Sequence, residues 1–184
     1  MIISLGNNCS VQLSIRKLQS YYNGIFSWCK SLNIDNVIKC IENDFDGLNN
    51  INNYNKNKVN TKYLFIYPHN PINNSFIESL NRRIDRFNNL DTDTLFVRTE
   101  KIIHFTKINK LYNVIANKHI NKNIQIKLLV ISHKFINDEE LNNNIIIQNI
   151  PLVCFNKKGE VRPTKQNLSI LRNIIQKYQK ILNI

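Results

Sequence analysis

Ile2-Ile3-Ser4-Leu5-Gly6-Asn7-Asn8-Cys9 carries a short apolar run into a glycine and then into a cysteine. After it, Val11, Ile15 and Leu18 recur at helical spacing. The pattern predicts a strand over 1–5, a tight turn, and a helix over about 9–20, with Cys9 in the helix's first turn. A thiol there faces backbone N–H groups that lack intrahelical partners, and the positive end of the helix dipole. Both favour thiolate, and such placement can bring a cysteine from about 8.5 to roughly 3.5–7.5. The competing reading is a small buried hydrophobe, since free cysteine is among the most buried residue types.

Downstream the pattern alternates. A helix is predicted over 34–42, with Ile34, Val37, Ile38 and Ile41 on one face. Residues 46–62 are rich in Asn and Lys and read as a surface loop inserted into the domain. Tyr63-Leu64-Phe65-Ile66-Tyr67 reads as a buried strand ended by Pro68. A helix is predicted from Ser75, where Ser75 and Glu78 fit a capping box. Thr94-Leu95-Phe96-Val97-Arg98 is the next strand, and Ile108, Leu111, Tyr112 and Ile115 mark a helix. A strand over 124–131, a short helix over 138–143, strands at 145–147 and 152–155 and a last helix over about 168–182 complete the chain. Strands alternating with helices predict a single α/β domain over 1–184, with a largely parallel or mixed sheet flanked by helices. Sites in such sheets form beyond the carboxyl ends of strands. Cys9 and His69 each follow a predicted strand, so one cleft can hold both.

Composition narrows the function classes. The chain has 184 residues, 42% of them apolar, and a net charge of +12. The basic residues are scattered rather than blocked. Asn, Ile and Lys are over-used and Gly falls to four, as a low-G+C genome of some viruses, protists or bacteria would produce. Nucleic acid is therefore disfavoured as the partner despite the charge. No apolar run approaches the roughly 18 residues that span a bilayer. The apolar start is too short, and lacks the basic leader, for a signal peptide. The expectation is the cytoplasm of a cell or of an infected host. Cys9, Cys29, Cys40 and Cys154 form no C-x-x-C pair and no cluster with His69, His104, His119 or His133. A metal site is not expected, and four free thiols fit a reducing compartment. No nucleotide-binding glycine motif occurs, so no cofactor is expected.

Several segments recur in the order known from one family. Ser4-Leu5-Gly6-Asn7-Asn8-Cys9, Ile25-Phe26-Ser27-Trp28, Ile41-Glu42-Asn43-Asp44-Phe45, His69-Asn70-Pro71, Arg82-Arg83-Ile84-Asp85-Arg86-Phe87 and Leu95-Phe96-Val97-Arg98 together span residues 2–100. In this the chain resembles an uncharacterised family of papain-like cysteine peptidases found in bacteria and some large DNA viruses. The resemblance implies that Cys9 is the nucleophile and His69 its base. Asn70, where the family has Asp, is the nearest candidate to orient the imidazole, with Asp44, Asp91 and Asp93 as alternatives. Asn8 can add an oxyanion donor beside the helix terminus. Ser27, Trp28 and Arg98 are the further candidates for the substrate-binding wall. Arg98 lies in an apolar strand and needs a partner, for which Glu100, Asp44 or a substrate carboxylate would serve.

The resemblance also implies a papain-like α+β arrangement with an antiparallel sheet, which competes with the alternation read from periodicity. Ser27 stands where the family has an acidic residue, and Pro71 where it has an aromatic. These departures motivate a second reading beside the thiol hydrolase or acyltransferase acting on a peptide, amide or acyl substrate. That second reading is a catalytically degenerate binding protein on the same scaffold.

Overall fold

Leu95, Phe96 and Val97 lie at the centre of the molecule, each without exposure, and every layer is arranged around them. The computed structural model describes residues 1–7, 9–16, 18, 23–31 and 33–181. Four strands, β1 (Ile2–Ser4), β2 (Thr94–His104), β3 (Ile126–Ile136) and β4 (Ile145–Asn149), form one sheet in the order β1-β2-β3-β4. All three pairings are parallel, with Ile3 opposite Phe96, Phe96 opposite Leu128, and Leu128 opposite Ile145. The α/β reading therefore holds, and the described residues form no antiparallel sheet of the papain type.

Side chains alternate across the sheet, so both faces are buried and the strands read as nearly continuous apolar runs. Ile3, Phe96, Leu128 and Val130 face a core shared with α2 (Ile34–Glu42), α3 (Asn74–Asn88) and α4 (Phe105–Lys118). Ile2, Leu95, Val97, Leu129 and Ile131 face the opposite core, shared with α1 (Cys9–Ile15) and α5 (Lys165–Ile181). This is a three-layer arrangement, with α1 packed on α5 and α2 on α4. No helix among the described residues is long and apolar enough to cross a membrane.

Helix α2 keeps the bounds its periodicity predicts, capped by Asn33, whose side chain accepts from the Asp35 N–H at 2.8 Å. Four local expectations are corrected. Tyr63–Tyr67 is not a strand of the sheet. Its rings are buried, yet Leu64 takes φ 56° and is 62% exposed. The segment is an anchored turn, with Tyr63 Oη donating to the Asp46 carbonyl at 2.7 Å and Ile66 bridging Lys30. Loop anchors that alternate in and out carry the same period as a strand. Helix α3 is capped by Asn73, which accepts from the Phe76 N–H at 2.9 Å, rather than by Ser75. Leu152–Cys154 is a single 3-10 turn.

The fourth correction concerns 138–143, which form no helix. Parallel strands ordinarily need a crossover of a dozen residues or more. Here residues 137–144 alone return from the end of β3 to the start of β4. They are stapled along α4. Asp138 accepts from the Thr106 N–H at 3.0 Å and pairs with His104 Nδ1 at 2.9 Å. His104 itself supplies no side-chain cap to that helix, so Asp138 caps it from outside. The Asn109 amide donates to Glu139 and to the Glu140 carbonyl, and its oxygen accepts from the Asn142 N–H at 3.0 Å. Polar groups in the N-terminal half of α4 hold the connection where a helix would otherwise stand.

Between β1 and α1 the chain turns at Gly6, with φ +82°, and at Asn7, with φ 73°. A Cβ at position 6 would lie 2.1 Å from Ser31 Oγ. Gly6→Ala therefore meets both left-handed strain and a clash. A loss of about 1–3 kcal/mol is expected from the backbone conformation alone, read as a lowered thermal midpoint. Adding Ser31→Gly would relieve the clash but is not expected to restore stability, because Ser31 Oγ also accepts from the Asn7 N–H and from Arg98 Nη1.

Candidate active site

Cys9 opens α1 just beyond the carboxyl end of β1, as the strand–turn–helix reading predicts. It is half-buried, whereas Cys29, Cys40 and Cys154 are buried, and all four are free. The expected lowering of its thiol does not occur. Burial pushes Cys9 above its ordinary value; Lys30 opposes that rise and Glu160 adds to it. Helix α1 is only seven residues long, and burial is the largest influence on the sulfur. Burial raises the other three thiols too. Accessibility, not ionisation, sets Cys9 apart.

His69 lies exposed in the turn after Tyr67. Its ring stands edge-on to Trp28, with centroids 6.1 Å apart, and no hydrogen bond joins it to Cys9. Asn70 shares that turn, its N–H donating to the Tyr67 carbonyl at 3.3 Å. The Asn70 Nδ2 is buried without a partner among the described residues, so it does not orient His69. Trp28 takes φ 62° and donates from Nε1 to Asn23 Oδ1 at 3.3 Å. It is half-buried beside the histidine rather than sunk in the core. Asn8 lies outside the described residues.

Ser27 has no exposure. Its hydroxyl donates to Gln12 Oε1 at 2.8 Å and accepts from the Gly24 N–H at 2.9 Å. It ties the 24–31 loop to α1 and presents no donor to a cleft. Arg98 is likewise fully buried. Its Nη1 donates to the Leu5 carbonyl at 2.7 Å and to Ser31 Oγ at 3.2 Å, and its Nη2 to the Ser31 carbonyl at 2.8 Å. Both Nε and Nη2 donate to Glu100 Oε1, the former at 2.8 Å. All five N–H groups are thereby committed. Of the partners the sequence allows, Glu100 is the one used, and Arg98 clamps the end of β1 to β2 rather than facing a substrate.

Three residues of this neighbourhood escape the sequence reading. Asn7 is buried, its N–H donating to Ser31 Oγ at 2.8 Å and its amide to the Thr99 carbonyl, while its Oδ1 has no partner among the described residues. Lys30 and Glu160 pair at 3.4 Å and are the charged groups that act on the Cys9 sulfur. They are 130 residues apart in sequence, and no local motif marks either of them. Of the remaining histidines, His104 is engaged with Asp138, His133 is exposed on β3, and His119 is buried at the end of α4. Among the described residues, no three His, Cys, Asp or Glu side chains are grouped to hold a metal ion.

The structure thus brings Trp28 to His69, and Lys30, two residues on, to the Cys9 side. Ser27, Asn70 and Arg98 serve the scaffold. Comparison with family models, curated proteins and solved structures returns no match.

Proposed function

We propose that the protein is a thiol-dependent hydrolase or acyltransferase acting on a peptide, amide or acyl substrate, with Cys9 as nucleophile. One observation carries the reading: Cys9 alone of the four thiols is accessible, and it stands where parallel α/β sheets form their sites. The Cys9 thiolate attacks the carbonyl carbon, and the oxyanion faces the N–H groups of the first turn of α1. The carbon–nitrogen or carbon–oxygen bond breaks, a proton passes to the leaving group, and a thioester remains. Water or an acceptor nucleophile then gives up its proton, attacks the thioester and restores the thiol. His69 is assigned the proton to the leaving group, which requires the 68–70 turn to carry its ring off Trp28. Four free cysteines fit a reducing compartment, and the cytoplasm is the proposed location.

The test is an activated aryl ester, followed by mass spectrometry of the quenched protein. An acyl adduct on Cys9, lost in Cys9→Ala, is the expected result. His69→Ala is expected to slow turnover about 100-fold, the scale of general acid–base catalysis. Absence of any adduct on Cys9 under conditions where free cysteine reacts would reject the reading. It would favour the alternative, a non-catalytic binding protein on the same scaffold. The raised Cys9 thiol and the packing of His69 on Trp28 support that alternative.

A further inference from the structure

We propose that the Lys30–Glu160 ion pair is the charge switch of Cys9, with the Lys30 ammonium moving from the Glu160 carboxylate to the thiolate as the sulfur ionises. This rests on Cys9 being the reactive thiol and deepens that reading by naming its partner.

The pair is built, not incidental. Lys30 is held at its backbone on both sides. Its N–H donates to the Ile66 carbonyl at 2.8 Å, and its carbonyl accepts from the Ile66 N–H at 3.1 Å. Glu160 closes the turn after Phe155. Asn156 binds it three times: the Asn156 N–H donates to its carbonyl at 2.8 Å, Asn156 Oδ1 accepts from its N–H at 3.0 Å, and Nδ2 donates to Oε2 at 2.8 Å. One carboxylate oxygen is thereby fixed. The other, Oε1, is buried and accepts no hydrogen bond among the described residues, in a residue only 7% exposed. Among those residues Lys30 Nζ, at 3.4 Å, is the cation that compensates it.

The Cys9 end is tied to the same turn. Ser10 Oγ donates to the Val161 carbonyl at 2.8 Å, so the residue after Cys9 is bonded to the residue after Glu160.

The pairing is incomplete from both ends. An ammonium has three donors, and Lys30 makes no hydrogen bond with them among the described residues. A buried carboxylate oxygen left to a cation at 3.4 Å is poorly satisfied. A thiolate at Cys9 would complete the ammonium's shell. The other titratable neighbours are accounted for. Cys29 is a buried thiol held neutral by desolvation, and Arg98 and Glu100 are engaged with each other. On α5, which packs along α1, Lys165 is exposed and Arg172 half-buried; neither is among the charges that act on the sulfur. The proton lost from Cys9 passes to solvent and the Lys30 ammonium changes only its partner, so the switch moves a cation and not a proton. It separates two tasks: Lys30 governs the charge of the nucleophile, and His69 serves the leaving group.

The experiment follows iodoacetamide alkylation of Cys9 against pH by peptide mass spectrometry. Sulfur–carbon bond formation expels iodide and reports thiolate directly. Glu160→Gln keeps the shape and the Asn156 contact but frees the cation. It is expected to lower the apparent pKa of Cys9 and to speed alkylation at pH 7 about 3–10-fold, the effect of half to one pKa unit. Lys30→Met is expected to slow it by a similar factor, and Lys30→Arg to preserve the wild-type profile. Should a single variant leave a buried charge that prevents folding, carboxyl NMR of Glu160 in the wild-type protein decides. Its carboxyl resonance is expected to shift as Cys9 ionises, and to stay in place once Cys9 is carbamidomethylated. An unmoved profile in Lys30→Met, a slower reaction in Glu160→Gln, or a Glu160 resonance that does not respond to Cys9 would overturn the proposal. These outcomes are distinct from those of the ester assay. A Cys9 adduct with an unmoved profile removes the switch alone; a moved profile without ester turnover removes the hydrolase alone.

Discussion

Arg98→Met is expected to lose about 3–5 kcal/mol of folding stability, the cost of breaking a buried ion pair by removing one partner. The side chain has no exposure and spends all five donors inside the protein. Without the guanidinium, Glu100 keeps, among the described residues, one hydrogen bond, from the distant Asn7 amide at 3.5 Å. The Ser31 carbonyl loses its 2.8 Å donor and the Leu5 carbonyl its 2.7 Å donor. An apolar replacement leaves these groups desolvated and unmatched, which costs more than the bonds contributed. Arg98→Lys is expected to be almost as damaging, because an ammonium cannot reproduce the planar fork. Urea unfolding checks both variants. A loss below about 1 kcal/mol in Arg98→Met would show that water replaces the clamp, on the scale of a single ordinary hydrogen bond. The joint effect of Arg98→Met with Glu100→Gln should be smaller than the sum of the two, because the sites share one network.

Acid is expected to weaken the fold through a second buried residue. His119, 3% exposed, has both ring nitrogens without partners among the described residues and lies against Phe87, with centroids 5.4 Å apart. Burial first, then the cations of Lys122 and Lys118, lower its pKa from 6.5 to about 4. The unfolded chain therefore binds the extra proton between those values. Stability is full above about pH 6.5 and falls as pH drops toward 4, by at most about 3 kcal/mol. Replacing His119 with Phe keeps a ring against Phe87 and removes two desolvated nitrogens. The variant is expected to be at least as stable as the wild type at pH 7 and to lose this part of the acid dependence. Unfolding free energies measured from pH 7 down to pH 4 check it; equal slopes in both proteins would refute the assignment.

The parts of the architecture legible in the sequence were those where burial writes a period. Ile34 to Ile41 repeat along one helical face, and the runs beginning at Thr94 and Ile124 are apolar on both sides because both sides are covered. The turn at Gly6 was legible because no other residue suits its conformation and its closeness to Ser31. Tyr63, Phe65 and Tyr67 misled because a loop that plugs a core with alternate rings carries the signature of a strand. Residues 138–143 misled because their order comes from Asn109 and Thr106, outside the segment. At the candidate site, the position of Cys9 follows from its local pattern. Its charged neighbours do not, since the turn holding Glu160 lies beyond the last strand of the sheet and meets α1 through a contact across 151 residues. Arg98 was visible as an anomaly, a cation in an apolar strand, but its commitment to Leu5 and Ser31 depends on contacts across 93 and 67 residues.

The stapled return between β3 and β4 leaves that edge of the sheet without slack. β3 runs on to Ile136, while β4 begins opposite Leu128, so 137–144 retrace eight positions of strand with eight residues of chain. At the roughly 3.3 Å a strand rises per residue, that path is nearly taut. Shortening it by one residue would drag β4 along its neighbour by one step and turn Ile145 from the core it fills toward the opposite layer. Alignment of the last strand is thus measured out by the length of a tether, and length variation in this molecule belongs elsewhere.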